Sequence, residues 1–176
     1  MKGEERQVGQ AVEKLGNELE KKTGQNYEEA LKKATGGSLS LLKFLNLDEV
    51  KVETIYARAY RLYNTGKYVE AAQIFRYLML VNPGDTKYFL GLAACCHLLK
   101  DFQAAILVYL LCDMLDDKSP IADFHASDCY LQMDDKVSAL ISLNLAIQKS
   151  GEKPEYQILK SRATLTADTL KKELKM

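Results

Sequence analysis

Two periods run together through the middle of the chain. The short one is helical, with apolar or small residues three and four apart: Ile55, Ala59 and Leu62, then Phe89, Ala93 and Cys96. The long one is about 34 residues, and it aligns residues 52–85, 86–119 and 120–153 as three segments. In the third segment Asp123, Ser127 and Tyr130 stand where the first two carry the apolar set. Each segment then meets a short break: Thr65-Gly66-Lys67, Leu99-Lys100-Asp101, Met133-Asp134-Asp135. A second helical pattern follows, with Ala71, Ala105 and Ala139 at one shared offset and the bulkier Phe75, Tyr109 and Leu143 four residues later. Small residues let two antiparallel helices approach closely, and the large one fills the space beside the crossing. One such hairpin cannot bury its own apolar face, so hairpins must stack. The pattern predicts an all-α superhelix of three helix-turn-helix repeats.

Turn and cap signals place the boundaries. Asn82-Pro83-Gly84-Asp85 stops a helix and offers Asp85 as the next N-cap. Ser119-Pro120 reads as an N-cap followed by proline at the first helical position. Ser150-Gly151 closes the third repeat, and Pro154 opens a helix to about Leu174 that would cap the stack. Before the repeats, Val8, Val12, Leu15 and Leu19 form a narrow stripe that suits a dimer seam between helices. The Leu-rich stretch 39–45 is an alternative dimer surface. Asn26 and Glu29 resemble a capping box, Gly36-Gly37 stops that helix, and Asp48 caps the helix entering the first repeat. The expected organisation is an N-terminal helical arm over 1–47, repeats over 48–153 and a capping helix over 154–176.

Charge and chemistry narrow the function. Lys and Arg number 24, as do Asp and Glu, so the drive for nonspecific binding to nucleic acid or an anionic membrane surface is missing. The start of the chain lacks the apolar core of a signal peptide, and the longest uncharged apolar run, 88–99, is too short to span a bilayer. A cytoplasmic protein without stable membrane insertion is expected. Cys95, Cys96, Cys112 and Cys129 form no CxxC pair and sit in apolar helical stretches, as reduced core thiols do. Cys95, Cys96 and His97 are consecutive on a helix and point about 100° apart, so they cannot share a metal. His125, Ser127 and Asp128 hold the residue types of a hydrolase. Ser127, however, lies at the small helix-crossing position with no nucleophile motif around it, and both histidines read as structural. Asp116-Asp117 and Asp134-Asp135 fall at helix ends, too short a pattern for calcium. Neither enzymatic activity, metal nor cofactor is expected.

Gly66-Lys67-Tyr68-x-Glu70-Ala71-Ala72 and the closing Pro83 resemble the tetratricopeptide consensus. The chain departs from it at Asp123, where a large residue is usual, and at Arg58 and Ala126, where Leu is common. In such a solenoid the first helix of each pair lines the concave surface. The inward positions are then Glu53, Tyr56, Tyr60, Tyr63 and Asn64, next Lys87, Leu90, Ala94, His97 and Leu98, and last Ile121, Phe124, Asp128, Leu131 and Gln132. Tyr56, Tyr60 and Tyr63 form a stripe of apolar area with hydroxyl handles, which suits recognition. Because Ile55, Ala59 and Leu62 already supply a core face, the tyrosines are read as a binding surface rather than as core.

The order of features is similar to the class II chaperones of bacterial type III secretion systems over about residues 30–170. It rests on Ala34-Thr35-Gly36-Gly37 ahead of a Leu-rich turn, Leu47-Asp48-Glu49, and Ile55-Tyr56-Ala57-x-Ala59-Tyr60-x-x-Tyr63-x-x-Gly66-Lys67-Tyr68. It continues through Tyr88-Phe89-Leu90-Gly91-Leu92-Ala93-Ala94-Cys95 and Phe124-His125-Ala126-Ser127-Asp128-Cys129-Tyr130-Leu131. That resemblance implies a chaperone that keeps hydrophobic translocator proteins soluble in the bacterial cytoplasm before export. It implies a groove that takes an extended segment near the translocator N-terminus, at Tyr56, Tyr60, Tyr63, Leu90, His97, Leu98, Phe124 and Leu131. It also implies homodimers formed through N-terminal helices. The alternative is a tetratricopeptide scaffold or adaptor in another assembly. A clamp for a C-terminal carboxylate is disfavoured, since Tyr56 and Tyr60 stand where it needs Lys and Asn.

Overall fold

The computed structural model describes residues 48–175. The proposed dimer positions Val8, Val12, Leu15 and Leu19, the stretch 39–45 and the capping box at Asn26 lie outside the described residues. Seven helices follow one another: α1 Glu49–Asn64, α2 Tyr68–Val81, α3 Thr86–Leu98, α4 Phe102–Leu115, α5 Ile121–Gln132, α6 Lys136–Ser150 and α7 Gln157–Glu173, the last preceded by a 3₁₀ turn, Pro154–Tyr156. Each helix from α2 onward packs on the next in the chain, as hairpins stacked in sequence require.

One turn is used three times. Gly66, Lys100 and Asp134, spaced at the repeat period, all have positive φ, at 78°, 62° and 59°. The residue after each donates its N–H across the turn to the carbonyl five residues back: Lys67 to Leu62, Asp101 to Cys96 and Asp135 to Tyr130, each at 2.9 Å. This closes the last open carbonyls of the first helix of each hairpin in the manner of a Schellman turn. Only the first repeat supplies glycine there, so Lys100 and Asp134 bear the steric penalty of the left-handed conformation. The second and third turns gain a compensating cap, because Asp101 accepts from Ala104 N–H at 3.2 Å and Asp135 from Ser138 N–H at 3.0 Å.

The crossings are as close as the small residues predict. Ala59, Ala71, Ala93, Ala105, Ser127 and Ala139 are completely buried, and Phe75, Tyr109 and Leu143 fill the core beside them. Ser127 Oγ donates to the Phe124 carbonyl at 2.6 Å, which satisfies a buried hydroxyl within its own helix. α7 lays Ala163, Ala167 and Leu170 on Phe124, Leu140, Leu143 and Ala146, so it covers the last hairpin. The α5 boundary shifts by one residue from the sequence reading. Pro120 is the N-cap, α5 starts at Ile121, and Ser119 Oγ accepts from the Ile121 N–H at 3.4 Å.

Asp85 caps α3 by accepting from the Lys87 N–H at 3.1 Å. Asp85→Ala should lower stability by about 1 kcal/mol, and Asp85→Asn by much less. Urea unfolding followed by circular dichroism measures both, and equal losses would show that the carboxylate's ion pair to Lys87, 3.2 Å away, matters more than the cap.

A buried ionic cluster joins three helices. Lys149 of α6 hydrogen-bonds Asp113 of α4, and its Nζ lies 2.7 Å from Asp123 Oδ2 of α5. Asp123 is 6% exposed. Burial pushes its carboxyl above the ordinary aspartate range, against the pull of Lys149. Burial also works against the Lys149 ammonium, but its two carboxylate partners outweigh that and hold its pKa above the usual lysine value.

Candidate functional site

The first helices of the three repeats, with Tyr109 of α4 behind them, enclose a cavity of about 350 Å³. Its walls are Tyr63 from α1, Leu90, Ala94, His97 and Leu98 from α3, and Ile121 and His125 from α5. Six of the expected inward positions, Tyr63, Leu90, Ala94, His97, Leu98 and Ile121, therefore meet in one place. Among the described residues no Lys, Arg, Asp or Glu lines it. A concave, uncharged space of this size can take apolar side chains from an extended segment.

The tyrosine stripe divides. Tyr56 is half-buried, edge-on to Phe75 at 6.1 Å and tilted against Tyr88 at 5.8 Å, so it ties α1 to α2 and α3. Lys87 Nζ sits 4.9 Å from the centre of its ring while pairing with Glu53 at 2.5 Å. Tyr60 stacks on Tyr56 at 6.3 Å yet stays 53% exposed. Tyr63 meets Tyr68 edge-on at 5.6 Å and reaches the cavity. One residue of the three is thus largely packing, one open surface, and one wall.

The third repeat contributes differently. Phe124 is buried in the cluster beneath α7, with the Arg162 guanidinium 5.4 Å from its ring centre. Leu131 packs partly buried against the same cluster, and Asp128 is half-buried nearby. These three do not line the cavity. The α5 wall is made by Ile121, an expected inward position, and by His125, whose ring stacks on Tyr109 at 5.8 Å. Burial holds His125 below the usual histidine pKa despite the pull of Asp128, so it is neutral at pH 7. Sequence reasoning treated His125 as purely structural and Tyr109 as core filler. Tyr109 is buried yet lines the groove, and no periodicity signals that.

Chemistry beyond binding finds little support in the side chains. All four thiols are buried and reduced; burial pushes Cys95 and Cys112 up to about 12 and Cys129 to about 11. Among the described residues no group of three His, Cys, Asp or Glu could hold a metal, and no helix is long and apolar enough to cross a membrane.

A tetratricopeptide-repeat family matches residues 52–80 and 86–118. Low calcium response locus protein H of Yersinia pseudotuberculosis is 34% identical over 141 residues, 79% of this chain and 83% of that protein. Chaperone protein SicA of Salmonella typhimurium is 32% identical over 68% of this chain and 70% of its own length. Among solved structures, the Yersinia enterocolitica type III secretion chaperone SycD, in complex with a peptide of the translocator YopD, superposes with a TM-score of 0.69 at 31% identity, covering 72% of this chain and 96% of that one. PcrH, in complex with the chaperone-binding region of PopD, gives 0.70 at 30% identity over 72% and 96%. With the stacked hairpins, the uncharged trough and these relatives in agreement, the chain belongs to the class II translocator chaperones of type III secretion systems, a family of tetratricopeptide-like binding proteins rather than enzymes.

Proposed function

We propose that this chain keeps hydrophobic translocator proteins soluble in the bacterial cytoplasm, by seating an extended segment near the translocator N-terminus in its concave groove. The observation that carries the reading is the uncharged cavity of about 350 Å³ where Tyr63, Leu90, Ala94, His97 and Leu98 converge. A membrane-inserting client exposes apolar surface that aggregates in water. An extended segment anchored by a few side chains shields part of that surface and exchanges without unfolding the chaperone. The relatives SycD and PcrH, solved with translocator segments, support the choice of client. In this reading Tyr56, Tyr60, Phe124, Asp128 and Leu131 border or back the groove rather than fill its centre. The chain forms a homodimer, a reading that the dimer in which SycD has been solved supports, and the arm 1–47 is the part that would supply the seam, through Val8, Val12, Leu15 and Leu19. Residues 48–153 bind, and 154–176 close the stack.

The test is co-expression with candidate translocators, followed by binding of a labelled synthetic peptide from the chaperone-binding region of one that is retained. Leu98 is 45% exposed at the groove rim, so Leu98→Ala and Leu98→Glu leave the core intact. Leu98→Glu should weaken the peptide at least tenfold by placing a charge against an apolar segment, and Tyr60→Ala with Leu98→Ala should return the client to the insoluble fraction. Retention of every client by both alanine variants would refute the groove.

A further inference from the structure

The repeats are not equivalent on their outer side. Between the second helices of repeats two and three lies another cavity, of about 290 Å³, with Ala122 and Ala126 of α5 as its floor. One repeat earlier the same offsets hold Tyr88 and Leu92, both buried core residues. Substituting two alanines for a tyrosine and a leucine removes the side chains that would fill this space. The walls rise from it as exposed apolar residues: Leu110 of α4 at 47%, and Ile141 and Leu145 of α6 at 57% and 40%. Farther along α4, Leu107 is 64% and Met114 81% exposed.

One end of this groove is acidic. Asp113 and Asp123 both line it, and one lysine, Lys149, serves the two carboxylates. The cluster therefore keeps one negative charge in excess. Asp123 Oδ2 is held by Lys149 Nζ at 2.7 Å, and the Asp113 side chain is 29% exposed at the groove end. Two carboxylates that share one ammonium leave the solvent-facing Asp113 able to take a second cation.

We propose that this outer groove seats a basic amphipathic helix of a second polypeptide, its apolar stripe between Leu110 and Ile141 and a Lys or Arg at one end against Asp113 and Asp123. The charge selects the occupant. A helix of a second polypeptide with apolar residues three and four apart and a terminal cation matches both the walls and the end. The groove is separate from the client cavity and meets it only behind Tyr109, which lines both. Two binding events on one chain would thus proceed on opposite sides of the same helices.

Two labelled synthetic helices test this, identical in their Leu stripe and differing only by Lys or Glu in the terminal turn, titrated into the full chain by fluorescence anisotropy. The Lys helix should bind at least tenfold tighter than the Glu helix, with the gap narrowing in high salt. Ala126→Leu restores the residue type of repeat two and fills the floor. Ile141→Glu alters an exposed wall without entering the core. Each should weaken the Lys helix at least tenfold while leaving binding of the translocator peptide unchanged, so failure here is distinct from failure of the client groove. Equal affinity for the two helices, or full binding by both variants, overturns the proposal. So does a wild-type dimer that Ala126→Leu dissociates in sedimentation velocity while neither helix binds, for then a second copy fills the groove.

Discussion

Lys149→Met is expected to destabilise the protein by about 3 kcal/mol, the low end for breaking a buried ion pair because Asp113 keeps contact with solvent. The substitution leaves Asp123 ionised and buried with no cation, and Asp113 without its partner across the helix interface. The pH dependence makes the cause identifiable. A lysine whose pKa rises on folding contributes stability that is complete below its unfolded value and fades as pH climbs through the folded one. The wild type should therefore weaken on the alkaline side above the usual lysine range of about 10.5, and the variant should lack that phase. A carboxyl raised by burial runs in the same direction in a lower window, since its ionised form disfavours folding and stability is lost as pH climbs through the folded value. The variant's deficit should shrink as the pH falls and Asp123 takes up a proton, which burial moves above the ordinary aspartate range. Adding Asp123→Leu should recover most of the loss, because replacing a buried pair with apolar residues of similar size is often neutral. Guanidinium unfolding across pH measures all three, and a deficit that stays constant into acid would point to lost packing of the lysine stem instead.

Gly91→Ala is the second large effect expected, a loss of about 1–3 kcal/mol although alanine is the better helix former. Gly91 sits within α3, and a Cβ there would fall 2.5 Å from Cε1 of the Phe75 ring. Phe75 is 1% exposed, locked between α2 and its neighbours, and cannot swing away as a surface side chain would. Helix propensity favours the variant by about 1 kcal/mol, and the overlap with a fixed aromatic ring is larger. The double variant Gly91→Ala with Phe75→Leu should be less than additive, since the smaller side chain relieves the overlap. A Gly91→Ala protein that melts at or above the wild-type temperature would mean the α2–α3 spacing relaxes at little cost.

The period of the repeats carried the architecture, because hairpin crossings need small residues at fixed offsets and the chain has Ala or Ser at every one. The groove was legible where a helix presents one face to it, as α3 does with Leu90, Ala94, His97 and Leu98. It was less legible at α5. Offsets counted from the repeat start assigned Phe124 and Leu131 to the groove, yet α7 covers that side of the last hairpin and draws both toward its own core. Ile121, which the same offsets placed inward, makes the wall together with His125, which they did not. An end repeat has a different neighbour from a middle one, and a pattern averaged over repeats cannot show that. Asp123 was visible as a departure from the consensus, but its meaning depends on Lys149, which lies 26 residues away and reaches it only through the packing of α6 on α5.

The three hairpin turns at Gly66, Lys100 and Asp134 share one backbone shape and one donor–acceptor register. Each of these joints therefore folds its two helices back with the same backbone geometry, and the trough is built hairpin by hairpin. The span of polypeptide such a sheath can hold is set by how many joints are strung together. Splicing in another 34-residue unit would lengthen the trough while preserving its bore, so reach and side-chain preference are separable quantities in this scaffold.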